Sequence, residues 1–240
     1  MNTIGVILAR AGSVGLPGKH LRPLLGLPVI EYTFDHAAAA RHLNQVVVTT
    51  DCPGVRRLAL QRNLPVIDRP ANLATSDASV QDVLLHAMET FEREPLFRFD
   101  AVVALYGNVP VRGDGVIDRA IEWLAKTGCD SVRTFCPVGK WHPAWMSRME
   151  GDVVHPLQPG SIHRRQDLTP LFLHDGAVVA VSRASMLRGR EFPADPHAFF
   201  GIDRRGIRTE PGETVEIDHA RDLYWAEAVL RDRAAAKEAA

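Results

Sequence analysis

The chain predicts an α/β fold with a mainly parallel sheet flanked by helices, and three features carry that prediction. Continuous apolar runs of strand length recur at residues 4–8, 45–50 and 101–105. Strands buried on both faces read this way. Helical periodicity fills the intervals between those runs, and alternation at this spacing implies βαβ units. The chain is 240 residues long, with 46% hydrophobic and 24% charged residues. That length and composition suit one domain with a core large enough to need no disulfide or metal staple.

The elements follow in order. After the strand at 4–8 and a glycine-rich loop, helical patterns are expected at 29–40, 55–62, 80–91 and 116–126. Ser79 and Asp82 stand at capping-box spacing before the third of these. From 135 to 172 the pattern breaks. Pro137, Pro143, Pro156, Pro159 and Pro170 crowd this segment together with His142, His155 and His163. It reads as an inserted lobe on a single domain spanning 1–240. Regularity returns with a strand at 177–182. A last helix is expected at 220–236, with Leu223, Ala226, Val229 and Leu230 along one side.

Charge and cysteine usage exclude several classes. Lys plus Arg number 28 against 29 Asp plus Glu, a net charge of −1, so the chain has no bulk electrostatic reason to bind nucleic acid or an anionic membrane. Cys52, Cys129 and Cys136 are odd in number and form no CxxC pair, which predicts free thiols in a reducing compartment. No apolar run reaches the roughly 18–20 residues of a membrane span. Met1-Asn2-Thr3 lacks a basic region, and Arg10 interrupts the apolar stretch. The expectation is a cytoplasmic protein.

The segment after the first strand, Leu8-Ala9-Arg10-Ala11-Gly12-Ser13-Val14-Gly15-Leu16-Pro17-Gly18-Lys19-His20-Leu21-Arg22, holds three glycines and three cations with no acid among them. Ligands bind at the carboxyl ends of parallel strands. Backbone N–H groups with Arg and Lys are what a polyphosphate requires. Arg10 and Lys19 are the candidate phosphate clamp, and Gly12 and Ser13 the candidate donors. The glycines run GxxGxxG, which is not a dinucleotide fingerprint; Ser13 and His20 stand where a phosphate-binding P-loop needs Gly and Ser or Thr. The plainer alternative is a flexible loop with solvated charges. Near the other end, Glu216 and Asp218 stand two apart in an extended 214–217 run, so both carboxylates face one side. They suit a hard oxygen site for Mg²⁺. Alternatively, Asp218 caps the last helix and Glu216 is a surface charge.

Several stretches in order resemble the acylneuraminate cytidylyltransferase family. The opening loop is joined by Arg22-Pro23-Leu24 and Gly26-Leu27-Pro28-Val29-Ile30. Val46-Val47-Val48-Thr49-Thr50-Asp51 resembles the second strand and its terminal Asp. Arg69-Pro70-Ala71-Asn72-Leu73-Ala74 resembles RPAxLA, and Val109-Pro110-Val111-Arg112 the end of QPTSPLR. Arg165-Gln166-Asp167-Leu168 and Asp175-Gly176-Ala177 resemble the RQxxP and NGAIY region. Glu216-Ile217-Asp218 with Asp222-Leu223 resembles DIDxxxDL. The similarity spans about residues 4–230.

The resemblance implies a Rossmann-like nucleotidyltransferase that transfers CMP from CTP to an acidic acceptor, of the sialic or nonulosonic sugar-acid type, and releases pyrophosphate. It implies nucleotide contacts at Leu8, Ala9, Arg10, Gly12, Ser13, Lys19, Arg69 and Asn72. It implies acceptor contacts at Tyr106, Asn108, Arg165, Gln166 and Asp175, and Mg²⁺ at Glu216 and Asp218. Arg165 suits a carboxylate because its fork makes two parallel bonds; the alternative for His163-Arg164-Arg165 is a solvent-facing basic cluster. Asp77 and Ser79 are further candidates for the cleft wall. In the family the segment matching 135–172 mediates dimerisation, and Trp141, Trp145, Met146 and Met149 are natural interface residues. A homodimer is therefore expected, the alternative being a local satellite core. The chain departs from the family where His20 and Asp175 replace Asn, Tyr106 replaces Gln, and Glu216 replaces Asp. Three readings follow: the sugar-acid transferase; a Kdo-type or other acidic acceptor such as a phosphonate, with Leu16-Pro17-Gly18-Lys19 shared by Kdo-type enzymes; and a nucleotide-binding homologue without activity.

Overall fold

The structure is a computed structural model and describes residues 1–93, 98–158, 160 and 162–239. Pro159 lies outside the described residues. The chain opens with β1 (Thr3–Leu8), a small antiparallel pair β2 (Pro23–Leu24) and β3 (Leu27–Pro28), and helix α1 (Val29–Ala39). β4 (Gln45–Thr50), α2 (Pro53–Gln61), β5 (Val66–Asp68), α3 (Val80–Glu92) and β6 (Ala101–Tyr106) follow. The second half runs α4 (Val116–Thr127), β7 (Ser131–Pro137), the hairpin β8 (Ser147–Glu150) and β9 (Val153–Pro156), β10 (Phe172–Ser182), α5 (Arg183–Gly189), β11 (Arg204–Arg208) and α6 (Ala220–Glu238).

Among the described residues, seven strands form the central sheet in the order β11-β7-β10-β6-β1-β4-β5. β10 is antiparallel to both of its neighbours; every other pairing is parallel. The expected mainly parallel α/β sheet is therefore present. Alternation along the strands splits the core. Ile7, Val48, Val103 and Leu105 face α1, α2 and α4, whereas Ile4, Val6, Leu8, Val47 and Ala104 face α3, α5 and the Phe199–Phe200 turn. A third cluster seats α6, with Leu223, Val229 and Leu230 packed on Leu24, Val29, Val215 and Ile217. This is the apolar side expected from its sequence.

The helices end near their expected bounds, with local causes. α2 starts at Pro53, since proline is preset for the first helical position and loses no bond there. Ser79 caps α3 by accepting from Asp82 N at 3.0 Å. The break at 135–172 is bounded differently. β7 runs in to Pro137 and β10 begins at Phe172, so the irregular lobe is 138–171, with short 3₁₀ turns and the β8–β9 hairpin. Among the described residues, the expected extended run at 214–217 makes a single bridge, Val111 to Val215.

Candidate functional site

β1, β4 and β6 end side by side, and a cleft of about 330 Å³ opens at that carboxyl edge, where open parallel sheets place their ligands. Its floor includes Leu8 and Tyr106 from the strand ends. Gly107 N donates to Leu8 O at 3.0 Å, locking the two ends together. The glycine-rich loop makes one wall. Asp51, at the end of β4, accepts from Ala11 N at 2.7 Å and holds the loop's start. Gly18 takes the left-handed conformation (φ 65°) that starts the 3₁₀ turn of Lys19–Leu21. Gly15 is required by close approach: a Cβ there would lie 2.6 Å from Asp218 O.

That approach brings the two distant carboxylates onto the loop. Lys19 Nζ donates to Asp218 Oδ1 at 2.8 Å. Asn108 Nδ2 donates to Glu216 Oε1 and Ile217 O at 3.0 Å each and lies 3.4 Å from Asp218 Oδ1. The Asn108 carbonyl accepts from Ile217 N at 2.8 Å. One asparagine thus clamps the whole Glu216–Asp218 segment. Burial pushes the Glu216 carboxyl above the usual carboxylate range; Asn108 opposes this and the Asp218 charge adds to it. The capping alternative for Asp218 is not what the fold uses: His219 is the cap, and Asp222 Oδ2 accepts from Asp218 N and His219 N.

Behind the cleft lies Arg112, 1% exposed. Its guanidinium donates to Tyr106 O at 2.7 Å, Val109 O at 2.6 Å, Thr33 Oγ1 at 3.0 Å and Ala177 O at 2.9 Å. Burial lowers it to about 9, with Glu216 and Asp175 pulling the other way, so it stays charged at neutral pH. Arg69 is likewise buried, donates to Thr49 O at 2.9 Å, and is lowered by burial to about 10. His20, 5% exposed, packs against Gly107. Burial, then the charges of Lys19 and Arg69, lower it to about 3, so the imidazole is neutral. Tyr106 is raised to about 12 by burial and Glu216.

Leu8, Arg10, Ser13, Lys19, Arg69, Tyr106, Asn108, Glu216 and Asp218 line this cleft. Ala9 lies in the core beneath it, and Gly12 and Asn72 are exposed beside it, with Leu73 lining in place of Asn72. Arg165 and Gln166 sit in the lobe, around a separate depression with Val138 and His142. Asp175 turns inward: Oδ1 accepts from Thr134 Oγ1 and from Ala177 N at 3.0 Å, and Oδ2 from Thr209 Oγ1 at 2.6 Å and Thr214 Oγ1 at 3.2 Å. Ser79 is occupied as a cap, while Thr75, Ser76 and Ala78 from the same turn reach the cleft. Sequence reasoning gave Arg112 no site role. An arginine after the apolar pair Val109 and Val111 was the available signal.

A cation-lined loop faces paired carboxylates at this sheet edge, in an α/β protein of the nucleotidyltransferase fold. The chain belongs to the cytidylyltransferase family, whose model matches residues 4–238. It is 31% identical over 196 residues to an N-acylneuraminate cytidylyltransferase of Streptococcus agalactiae serotype V, covering 80% of this chain and 46% of that one. The chain thus spans about half the length of these curated relatives. A CMP-N,N'-diacetyllegionaminic acid synthase of Legionella pneumophila is 28% identical over 230 residues, 94% of each chain. In fold it matches a solved CMP:2-keto-3-deoxy-manno-octonic acid synthetase complexed with CTP (TM-score 0.74, 18% identity, 97% and 100% of the two chains).

Proposed function

We propose that the chain transfers CMP from CTP to a sugar acid of the sialic or nonulosonic type and releases pyrophosphate. The observation that carries this reading is the convergence of Lys19, Asn108, Glu216 and Asp218 across the glycine-rich loop. Charge grows on the transferred phosphoryl group and on the leaving pyrophosphate, and catalysis consists largely of meeting it with fixed donors and cations. Arg10 and Lys19 bind the phosphate tail, and Ser13 offers its hydroxyl, its amide being committed to Ala11 O at 3.0 Å. Arg112 and Asn108 hold the far wall in place, so little reorganisation is needed on binding.

Glu216 and Asp218 would hold Mg²⁺. The fit is chemical: two carboxylates share one amide, and burial disfavours the charged form of Glu216, which a cation would relieve. Among the described residues no third carboxylate, His or Cys joins them, which suits Mg²⁺, since that ion keeps waters and takes substrate phosphates as ligands. Held by these two carboxylates, such an ion would supply positive charge against the nucleotide phosphates.

The reading includes a homodimer in the cytoplasm. Trp141, Met149 and Leu173 are each about two-thirds exposed on or beside the lobe, as a partner-covered face would be in an isolated chain. No helix among the described residues is long and apolar enough to cross a membrane. The test is pyrophosphate release with CTP, ATP, GTP and UTP across a panel of sugar acids, with light scattering for the dimer. Release with CTP and a mass twice that of one chain are expected. No release with any pairing, together with no nucleotide binding, overturns the reading; a single-chain mass at micromolar concentration overturns the dimer.

A further inference from the structure

Among the described residues, Arg133 is a cation without an acid. It lies mid-strand on β7, register-paired with Val179 of β10, which pairs with Ala104 of β6. Val179, Ala104, Leu8 and Tyr106 share one face of the sheet, so Arg133 stands on the face that carries the cleft floor. Two strand spacings, roughly 10 Å, separate its backbone from β6. The intervening strand has a register shift between His174 and Val179, and Gly176 (φ 77°) sits within it. A Cβ on Gly176 would meet Glu216 Oε2 at 3.2 Å and Tyr106 Cδ2 at 3.8 Å. Gly176 itself therefore adds no side chain to the floor between the Glu216 side and the Arg133 side.

The guanidinium is fixed by aromatic faces instead of carboxylates. Its Cζ is 4.2 Å from the centroid of Phe200 and 5.1 Å from that of Phe135. Arg133 forms no ion pair among the described residues, and its Nε is buried without a hydrogen-bond partner. A second guanidinium, Arg204, lies 6.0 Å from the Phe200 ring with Nε committed to Gly201 O at 2.6 Å. Burial, and then Arg204, pull Arg133 below its ordinary value, and Tyr106 draws it back up. Two like charges on one ring and an orphaned donor are costly, and an anion between them removes both costs. Stacked arginine presents the planar fork that fits a carboxylate.

We propose that Arg133, backed by Arg204, is the specificity-determining residue that receives the acceptor's carboxylate across the Gly176 floor. The assignment rests on the cytidylyl-transfer reading, and the two are tested by separate readouts. Binding of N-acetylneuraminate and of its carboxamide is followed by saturation-transfer NMR in wild type, Arg133→Met, Arg133→Lys and Arg204→Ala, with CTP and Mg²⁺ present and pyrophosphate release recorded alongside. The acid is expected to bind Arg133→Met at least about tenfold more weakly. Arg133→Lys should regain part of the loss, and Arg204→Ala should lose about threefold, with CTP affinity unchanged in all. The carboxamide should bind wild type and Arg133→Met alike.

Equal acid binding by wild type and Arg133→Met overturns the assignment. So does a matching loss of carboxamide binding, or wild type that binds no acid. Thermal unfolding of each variant guards against misfolding, and Arg204→Ala, at an exposed position, keeps the test open if Arg133→Met fails to fold. Acid binding that depends on Arg133 without pyrophosphate release sustains the subsite while overturning the transfer reading.

Discussion

The buried histidine beside Lys19 makes the stability of the fold sensitive to acid in a way that can be worked out. His20 replaces a residue that carries no charge in the family's loop, and it is 5% exposed. Burial first, then Lys19 and Arg69, lower it from 6.5 to about 3. A folded value below the unfolded one means that the native state keeps the ring neutral while the unfolded chain takes up a proton. The associated stability is therefore present above about pH 6.5 and is lost as pH falls toward the folded value. At 1.36 kcal/mol per pH unit, about 2 kcal/mol is lost between pH 6.5 and pH 5. His36, lowered to about 3 by burial and by Arg112 and Arg233, follows the same sign and adds a similar amount. Together these losses are a large share of a typical domain's roughly 5–15 kcal/mol. Urea unfolding of wild type and His20→Asn at pH 7.5, 6.5, 5.5 and 5.0 isolates one histidine, because the carboxylates common to both proteins cancel. Wild type is expected to lose about 2 kcal/mol more than the variant over that range. Parallel losses in the two proteins, or a His20 ring proton titrating near 6.5 in NMR, would refute the reasoning.

Other perturbations have equally definite outcomes. Gly15→Ala forces a Cβ to 2.6 Å from Asp218 O, so the loop and the carboxylate segment must part; the KM for CTP should rise by about tenfold. Arg112→Met takes a charged donor away from four buried oxygens; urea unfolding should show a loss of about 3–5 kcal/mol. Asp218→Asn removes one carboxylate and the partner charge of Lys19; turnover at fixed CTP should fall by about a hundredfold, and the Mg²⁺ concentration for half-maximal rate should rise. Asp175→Ala strips the common acceptor from Thr134, Thr209 and Thr214; a stability loss of about 2 kcal/mol is expected in thermal or urea unfolding.

Much of this fold was legible because its strands are buried on both faces. The runs that became β1, β4 and β6 are nearly continuous in apolar residues, and the helices between them repeat at 3.6. β7 escaped notice because Arg133 and Thr134 interrupt it, and β11 because it is an edge strand carrying Arg204, Arg205 and Arg208. The β8–β9 hairpin is exposed at every residue and so leaves no alternation to read. In the site, the loop residues Arg10, Ser13 and Lys19 were legible from local chemistry and from family resemblance. The clamp of Asn108 on Glu216 joins residues 108 apart, which no local pattern encodes. Asp175 illustrates the opposite case. A charged residue in a motif suggested a ligand contact, yet three threonines from separate segments turn it into an internal tie.

The central claim is that the loop from Arg10 to Lys19 and the pair Glu216 and Asp218 grip one nucleotide tail together. Calorimetric titration of CTP into wild type and Lys19→Met, each with and without Mg²⁺, tests it most directly. One site per chain is expected, tighter with Mg²⁺ and weakened about tenfold or more by the substitution. No binding to wild type, or equal binding by both proteins, would contradict the account.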